Sequence, residues 1–186
     1  MNPMINSLAN RLTVSRIVVI PLILVLLFLQ QEWAEWIALV LFVAAGITDL
    51  LDGYVARRDG QVSMIGEFLD PIADKLLVAA VILLLVYNGH ITGNAIIPAV
   101  IILMREVAVS GLREFLAGVR VSMPVSHLAK WKTFIQIWAI SFLIGGDYAP
   151  SLHATLIGDI CLWVAGVLTV VTAWDYWRAS IKHFKN

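Results

Sequence analysis

The amino-acid sequence predicts an all-α integral membrane protein, with six transmembrane helices and a short N-terminal interfacial helix in a single domain over residues 1–186. Three observations carry that expectation. Hydrophobic residues make up 60% of the chain and charged ones only 14%, with a mean hydropathy of +0.87. A soluble domain needs more polar surface than this. The apolar residues also fall into six runs, each of about the length a helix needs to cross a ~30 Å hydrocarbon layer. Finally, the 13 Lys and Arg residues are distributed so that alternate loops carry none of them.

Taken in order, residues 3–13 are too polar to span and are expected to form the surface helix. The first apolar run, roughly 14–30, ends in Gln30-Gln31-Glu32 and not at a small-residue cleavage site, so no cleavable leader is expected. The following runs cover roughly 33–57, 71–88, 95–116, 127–144 and 156–178. Loops near 31–35, 88–94 and 145–155 hold no Lys or Arg, and every cation from Arg11 to Lys185 lies on the other side. The positive-inside rule makes that side cytoplasmic, with both termini there. A missed helix would scatter the cations over both sides. Trp33, Trp36, Tyr148 and Trp174, near segment ends, read as interfacial anchors. The formal net charge of zero argues against nucleic acid as a partner. Cys161 has no second cysteine to pair with, so no disulfide framework exists.

Four aspartates stand beside or within the apolar runs. Asp49 and Asp52 are three residues apart near the end of the second run, and Asp70 and Asp74 are four apart at the start of the third. Either spacing puts a pair on one helix face. Two antiparallel helices joined by a short loop would bring all four to one depth, near the cytoplasmic edge of the membrane. Structural roles exist for single members. Asp70 before Pro71 makes a good N-cap, and Asp74 favours a helix N-terminus or pairs with Lys75 or Arg57. Four clustered carboxylates repel one another and are unfavourable against lipid. Divalent cations relieve that repulsion, and all-oxygen ligation suits Mg²⁺ or Mn²⁺, two of which clamp a phosphoryl group in transfer. Gly53 and Gly66 leave room for a nucleotide, and Arg57 lies within reach of a phosphate oxygen.

The spacing Asp49-x2-Asp52-Gly53-x2-Ala56-Arg57-x8-Gly66-x3-Asp70-x3-Asp74 resembles the complete motif of the CDP-alcohol phosphotransferases. The resemblance implies six transmembrane helices, a homodimer, and transfer of a phosphatidyl-type group from a CDP-linked lipid to an alcohol with release of CMP. It further implies that Asp49, Asp52 and Asp70 bind two metal ions, and that Asp74 contacts the second ion and acts as general base. Gly53, Ala56 and Gly66 would line the cytidine pocket beside Arg57. Asn10, Thr13 and Arg16 resemble the family's N-terminal Asn-x2-Thr-x2-Arg stretch, near the nucleotide. For the acceptor, "MREVAVSGLREFL" (104–116) supplies Arg105 and Arg113, eight residues apart and so expected on one side of a helix, and "SHLAKWKTFIQ" (126–136) supplies Lys130 and Lys132. Both stretches resemble those of family members that act on glycerol 3-phosphate, with Ala129 where those members commonly have Gly. The expectation is therefore a bacterial inner-membrane enzyme joining CDP-diacylglycerol to glycerol 3-phosphate on the cytoplasmic side. Inositol phosphate or serine is the alternative acceptor. A membrane prenyltransferase generally has more helices and lacks the Asp-Gly-x2-Ala-Arg element. A divalent-cation transporter would place its acidic ligands nearer mid-membrane and would not need the four cations.

Overall fold

The computed structural model describes residues 8–59, 64–119, 127–148 and 152–184, and side chains over 17–48, 72–119, 128–146, 148, 152–178 and 180–181. Six α-helices are present, α1 (Leu8–Phe28), α2 (Glu32–Asp59), α3 (Met64–Tyr87), α4 (Ile96–Gly118), α5 (His127–Ile144) and α6 (Ala154–Phe184), with single 3₁₀ turns at Gly93–Ala95 and Gly146–Tyr148. No strand occurs among the described residues. Between Leu8 and Thr13 there is no separate surface helix, because those residues are the first turns of α1; residues 1–7 lie outside the described part. The third helix also begins earlier than expected, at Met64 and not at Pro71. Asp70 is consequently inside a helix and is not its N-cap.

Two helical stretches, Gly93–Gly118 and Ala154–Arg178, are long and apolar enough to cross a membrane, with mean hydropathies of 1.9 and 2.0. Only 28% and 33% of them is buried, unlike the core helix of a soluble protein. Ile17–Phe28 is a shorter apolar helical stretch. Large side chains such as Val18, Leu22, Val40, Leu83, Val107 and Val170 point outward. An apolar exterior of this extent marks a membrane-embedded protein.

The chain folds as two compact units, residues 1–90 and 91–186. In the first unit, α1 packs against both α2 and α3. Small residues at helical spacing, Ala34, Ala38 and Ala45 with Phe42, turn the buried face of α2 inward, and Ala73, Leu77, Val81 and Leu85 do the same for α3. One end of this unit is closely tied. Gly89 adopts φ 83; the Gly89 amide donates to Val86 and the His90 amide to Leu85, the pattern of a glycine helix stop. That stop delivers Asn88 and His90 to the α1–α2 turn. Asn88 Nδ2 donates to the Leu27 carbonyl at 2.8 Å and Gln30 Nε2 to Asn88 Oδ1 at 3.0 Å. Phe28 stacks on Tyr87 with ring centroids 5.8 Å apart. His90 Nε2 lies 3.5 Å from the buried Glu35 carboxylate.

In the second unit, α6 packs along both α4 and α5. Its glycines permit the close approach: a Cβ on Gly158 would sit 2.7 Å from Leu143 Cγ, and one on Gly166 2.9 Å from Pro98 Cβ. The core comprises Ile102 and Leu116 of α4, Ala139, Ile140 and Leu143 of α5, and Leu162 and Ala165 of α6. Two polar side chains buried in α6 bond to their own helix. Thr172 Oγ1 donates to the Leu168 carbonyl at 2.9 Å and Ser180 Oγ to that of Tyr176 at 2.7 Å.

Candidate active site

The tied end of the first unit determines where its acidic turns lie. The C-terminus of α1, the N-terminus of α2 and the C-terminus of α3 meet there. The opposite ends of all three helices are therefore at the other end of the unit. Only residues 60–63 separate Asp59 from Met64, a connection that keeps the ends of α2 and α3 within about 17 Å of each other at ~3.5 Å per residue. Along α2, Asp49 lies roughly 26 Å and Asp52 roughly 30 Å from Glu32 at ~1.5 Å per residue. Along α3, Asp70 lies roughly 26 Å and Asp74 roughly 20 Å from Tyr87 on the same rise. Both acidic turns thus share one end and nearly one height.

The N-terminal half of α1 reaches that end too. Arg16, Thr13 and Asn10 lie roughly 18, 23 and 27 Å from Phe28 along the helix. The helix backbone also carries Gly53, Ala56 and Arg57 of α2 and Gly66 of α3 at this end. The side chains of Asn10, Thr13, Arg16, Asp49, Asp52, Arg57 and Asp70 are outside the described set, whereas Asp74 is described and half-buried. Among the described residues no three metal-ligating side chains come together; the side chains of Asp49, Asp52 and Asp70 lie outside the described set.

The four cations expected at the acceptor belong to the second unit and divide into two kinds. Arg113 on α4 and Lys130 on α5 are exposed. Lys132 is buried, with 3% exposure, and its Nζ bonds directly to Glu106 Oε1. Arg105 Nη1 donates to the same oxygen at 3.3 Å, and its Nη2 reaches Thr172 Oγ1 on α6 at 3.3 Å. Arg105 and Arg113 do not share an environment, because eight residues advance a helix by about 80° beyond two full turns. Glu106 had no role in the sequence reading. Its signal was an acid directly beside an arginine in an apolar helix, a pattern that implies a buried partner, although only the fold identifies that partner as Lys132.

Comparison with known proteins adds an independent observation. Residues 6–171 match the model of the CDP-alcohol phosphatidyltransferase family. A Rickettsia bellii protein named CDP-diacylglycerol–glycerol-3-phosphate 3-phosphatidyltransferase is 46% identical over 179 residues, covering 96% of this chain and 97% of the relative. Proteins of the same name from Cereibacter sphaeroides and Bacillus subtilis are 38% and 36% identical, each covering 97% of this chain and 98% of the relative.

Proposed function

The chain belongs to the CDP-alcohol phosphatidyltransferase family, and from that premise we propose that it transfers the phosphatidyl group of CDP-diacylglycerol to glycerol 3-phosphate, giving phosphatidylglycerol phosphate and CMP. The substrates are those in the names of the relatives. What supports the reading is that the rise along α1, α2 and α3 from their tied ends puts both acidic turns and the start of α1 toward the same end of the first unit. In this reading the protein is one functional domain, since the family match extends through both units. It crosses the bacterial inner membrane six times as a homodimer, with both termini and the site on the cytoplasmic side.

Asp49, Asp52, Asp70 and Asp74 offer only carboxylate oxygens, a donor set suited to a hard divalent cation. These residues would hold two Mg²⁺ or Mn²⁺ ions, which when bound neutralise charge on the pyrophosphate of the donor. Gly53, Ala56 and Gly66 line the cytidine pocket, with Arg57, Asn10, Thr13 and Arg16 near the nucleotide. Asp74 accepts the proton of the primary hydroxyl of glycerol 3-phosphate. The oxygen attacks the β-phosphorus in line, the bond to the CMP phosphate breaks, and its electron pair leaves with CMP. Arg105, Arg113, Lys130 and Lys132 receive the acceptor's phosphate by charge-assisted hydrogen bonds.

The deciding experiment measures CMP released from CDP-diacylglycerol by the purified full-length protein with each alcohol. Glycerol 3-phosphate should support turnover, and glycerol, serine and inositol phosphate should support little. Equal turnover with unphosphorylated glycerol would remove the phosphate pocket from the proposal, and no turnover with any alcohol would reject the reaction.

A further inference from the structure

Among the described side chains of the second unit, Arg105, Glu106 and Lys132 form a largely buried charged group. The side chains of Arg105, Glu106 and Lys132 are 11%, 17% and 4% exposed. One carboxylate oxygen, Glu106 Oε1, accepts from both Lys132 Nζ and Arg105 Nη1. The guanidinium is further fixed by Thr172 Oγ1 at 3.3 Å and by the Tyr176 ring, whose centroid is 5.9 Å from Cζ. One carboxylate oxygen therefore ties the two cations together. Arg105 Nε is buried without a hydrogen-bond partner among the described residues. A buried donor left unused is unfavourable, and a guanidinium with such a donor suits an arriving anion.

The carboxylate itself would repel that anion, so its presence calls for a reason. Lysine is a flexible four-carbon chain, and near a helix end it tends to extend toward water. Glu106 restrains this tendency and keeps Lys132 within the bundle. We propose that Glu106 is a positioning residue for the acceptor: it holds Lys132 and Arg105 ordered, side by side, as the buried wall of the pocket that takes the phosphate of glycerol 3-phosphate. The inference rests on the proposed function and deepens it. Ordering the two cations before the substrate arrives removes that entropy loss from the binding step.

The two effects of Glu106 have opposite signs, and Glu106→Gln separates them. If the carboxylate only repels, its removal lowers the KM for glycerol 3-phosphate. If it positions the cations, KM rises tenfold or more, with kcat within threefold and the KM for CDP-diacylglycerol unchanged. Glu106→Asp, which keeps the charge, should recover part of the loss. Glu106→Gln should cost less in a Lys132→Ala background than alone, since only Arg105 is then left to be held. A lowered KM, an equal fall in kcat for both substrates, or fully additive losses would overturn the positioning role. Should Glu106→Gln fail to purify as a folded protein, the KM and kcat of Glu106→Asp decide the same question. A wild-type protein whose CMP release ignores glycerol 3-phosphate rejects the proposed function itself. A glycerol 3-phosphate-dependent wild type with an unaltered Glu106→Gln rejects only this inference.

Discussion

Lys130 and Lys132 stand two residues apart on α5, yet one is exposed and the other buried, as the 200° between alternate helical residues requires. On the proposed reading, Arg113 and Lys130 would capture the acceptor from water, and Arg105 and Lys132 would form the inner wall of its pocket. Arg113→Ala or Lys130→Ala should raise the KM for glycerol 3-phosphate about tenfold, near 1.4 kcal/mol. Arg58→Ala and Lys182→Ala, with cations outside the pocket, should leave it nearly unchanged; four equal effects would reduce the cations to topology markers. Asp49→Asn, Asp52→Asn and Asp70→Asn should each abolish turnover while the protein still folds in detergent. Near-normal activity at low metal concentration in any of them would remove that residue from the ligand set. Asp74→Asn should slow the chemical step by ~10²-fold or more and spare binding of CDP-diacylglycerol. These aspartates were legible in the sequence because helical spacing is a local property. The bond from Lys132 to Glu106 spans 26 positions of chain and depends on how α4 and α5 pack, which no local spacing encodes.

Among the elements, α5 matches its expected range of 127–144, while α3 starts seven residues before the expected Pro71. The apolar run located the part of α3 that lipid or neighbours cover. Its first turns, Met64 to Asp70, are interrupted by Gly66, Glu67 and Asp70, which break the apolar run, and the helix continues through Pro71 regardless. The close helix contacts were also illegible, since a glycine in a sequence does not announce its neighbour. Gly158→Ala and Gly166→Ala force a new methyl against Leu143 and Pro98. Each should destabilise the second unit by about 1–3 kcal/mol, read as a lower unfolding temperature in detergent; an unchanged temperature would mean that α6 can move away freely. Asn88→Ala removes the bonds to the Leu27 carbonyl and Gln30 and should destabilise the first unit by about 1–2 kcal/mol.

At the scale of the whole molecule, composition already announced a membrane protein, and the outward-facing valines and leucines agree. Orientation rests on the placement of the cations and has a direct test. In a Cys161→Ser background, Asn94→Cys should react with a membrane-impermeant thiol reagent added to intact cells, and Lys182→Cys should react only after the membrane is opened. The reverse result would invert the topology. The proposed metal dependence is tested on the whole site as well: a chelator should abolish CMP release, and Mg²⁺ or Mn²⁺ should restore it. Turnover that survives exhaustive chelation would contradict the carboxylate assignment.

The glycine stop at Gly89 and the bonds around Asn88 make the end of the first unit remote from the carboxylates a fulcrum, with α2 and α3 as its arms. Both acidic turns lie roughly 26 Å out along those arms. A tilt of one degree at the fulcrum moves a carboxylate by about 0.5 Å, and two degrees by about 1 Å over that span. Misplacement by about 1 Å is enough to slow a reaction ~10²-fold. A handful of hydrogen bonds at the far end of the unit thereby sets the aim of the carboxylates proposed to be catalytic, and substitutions at Asn88 or Gln30 should lower kcat as well as stability.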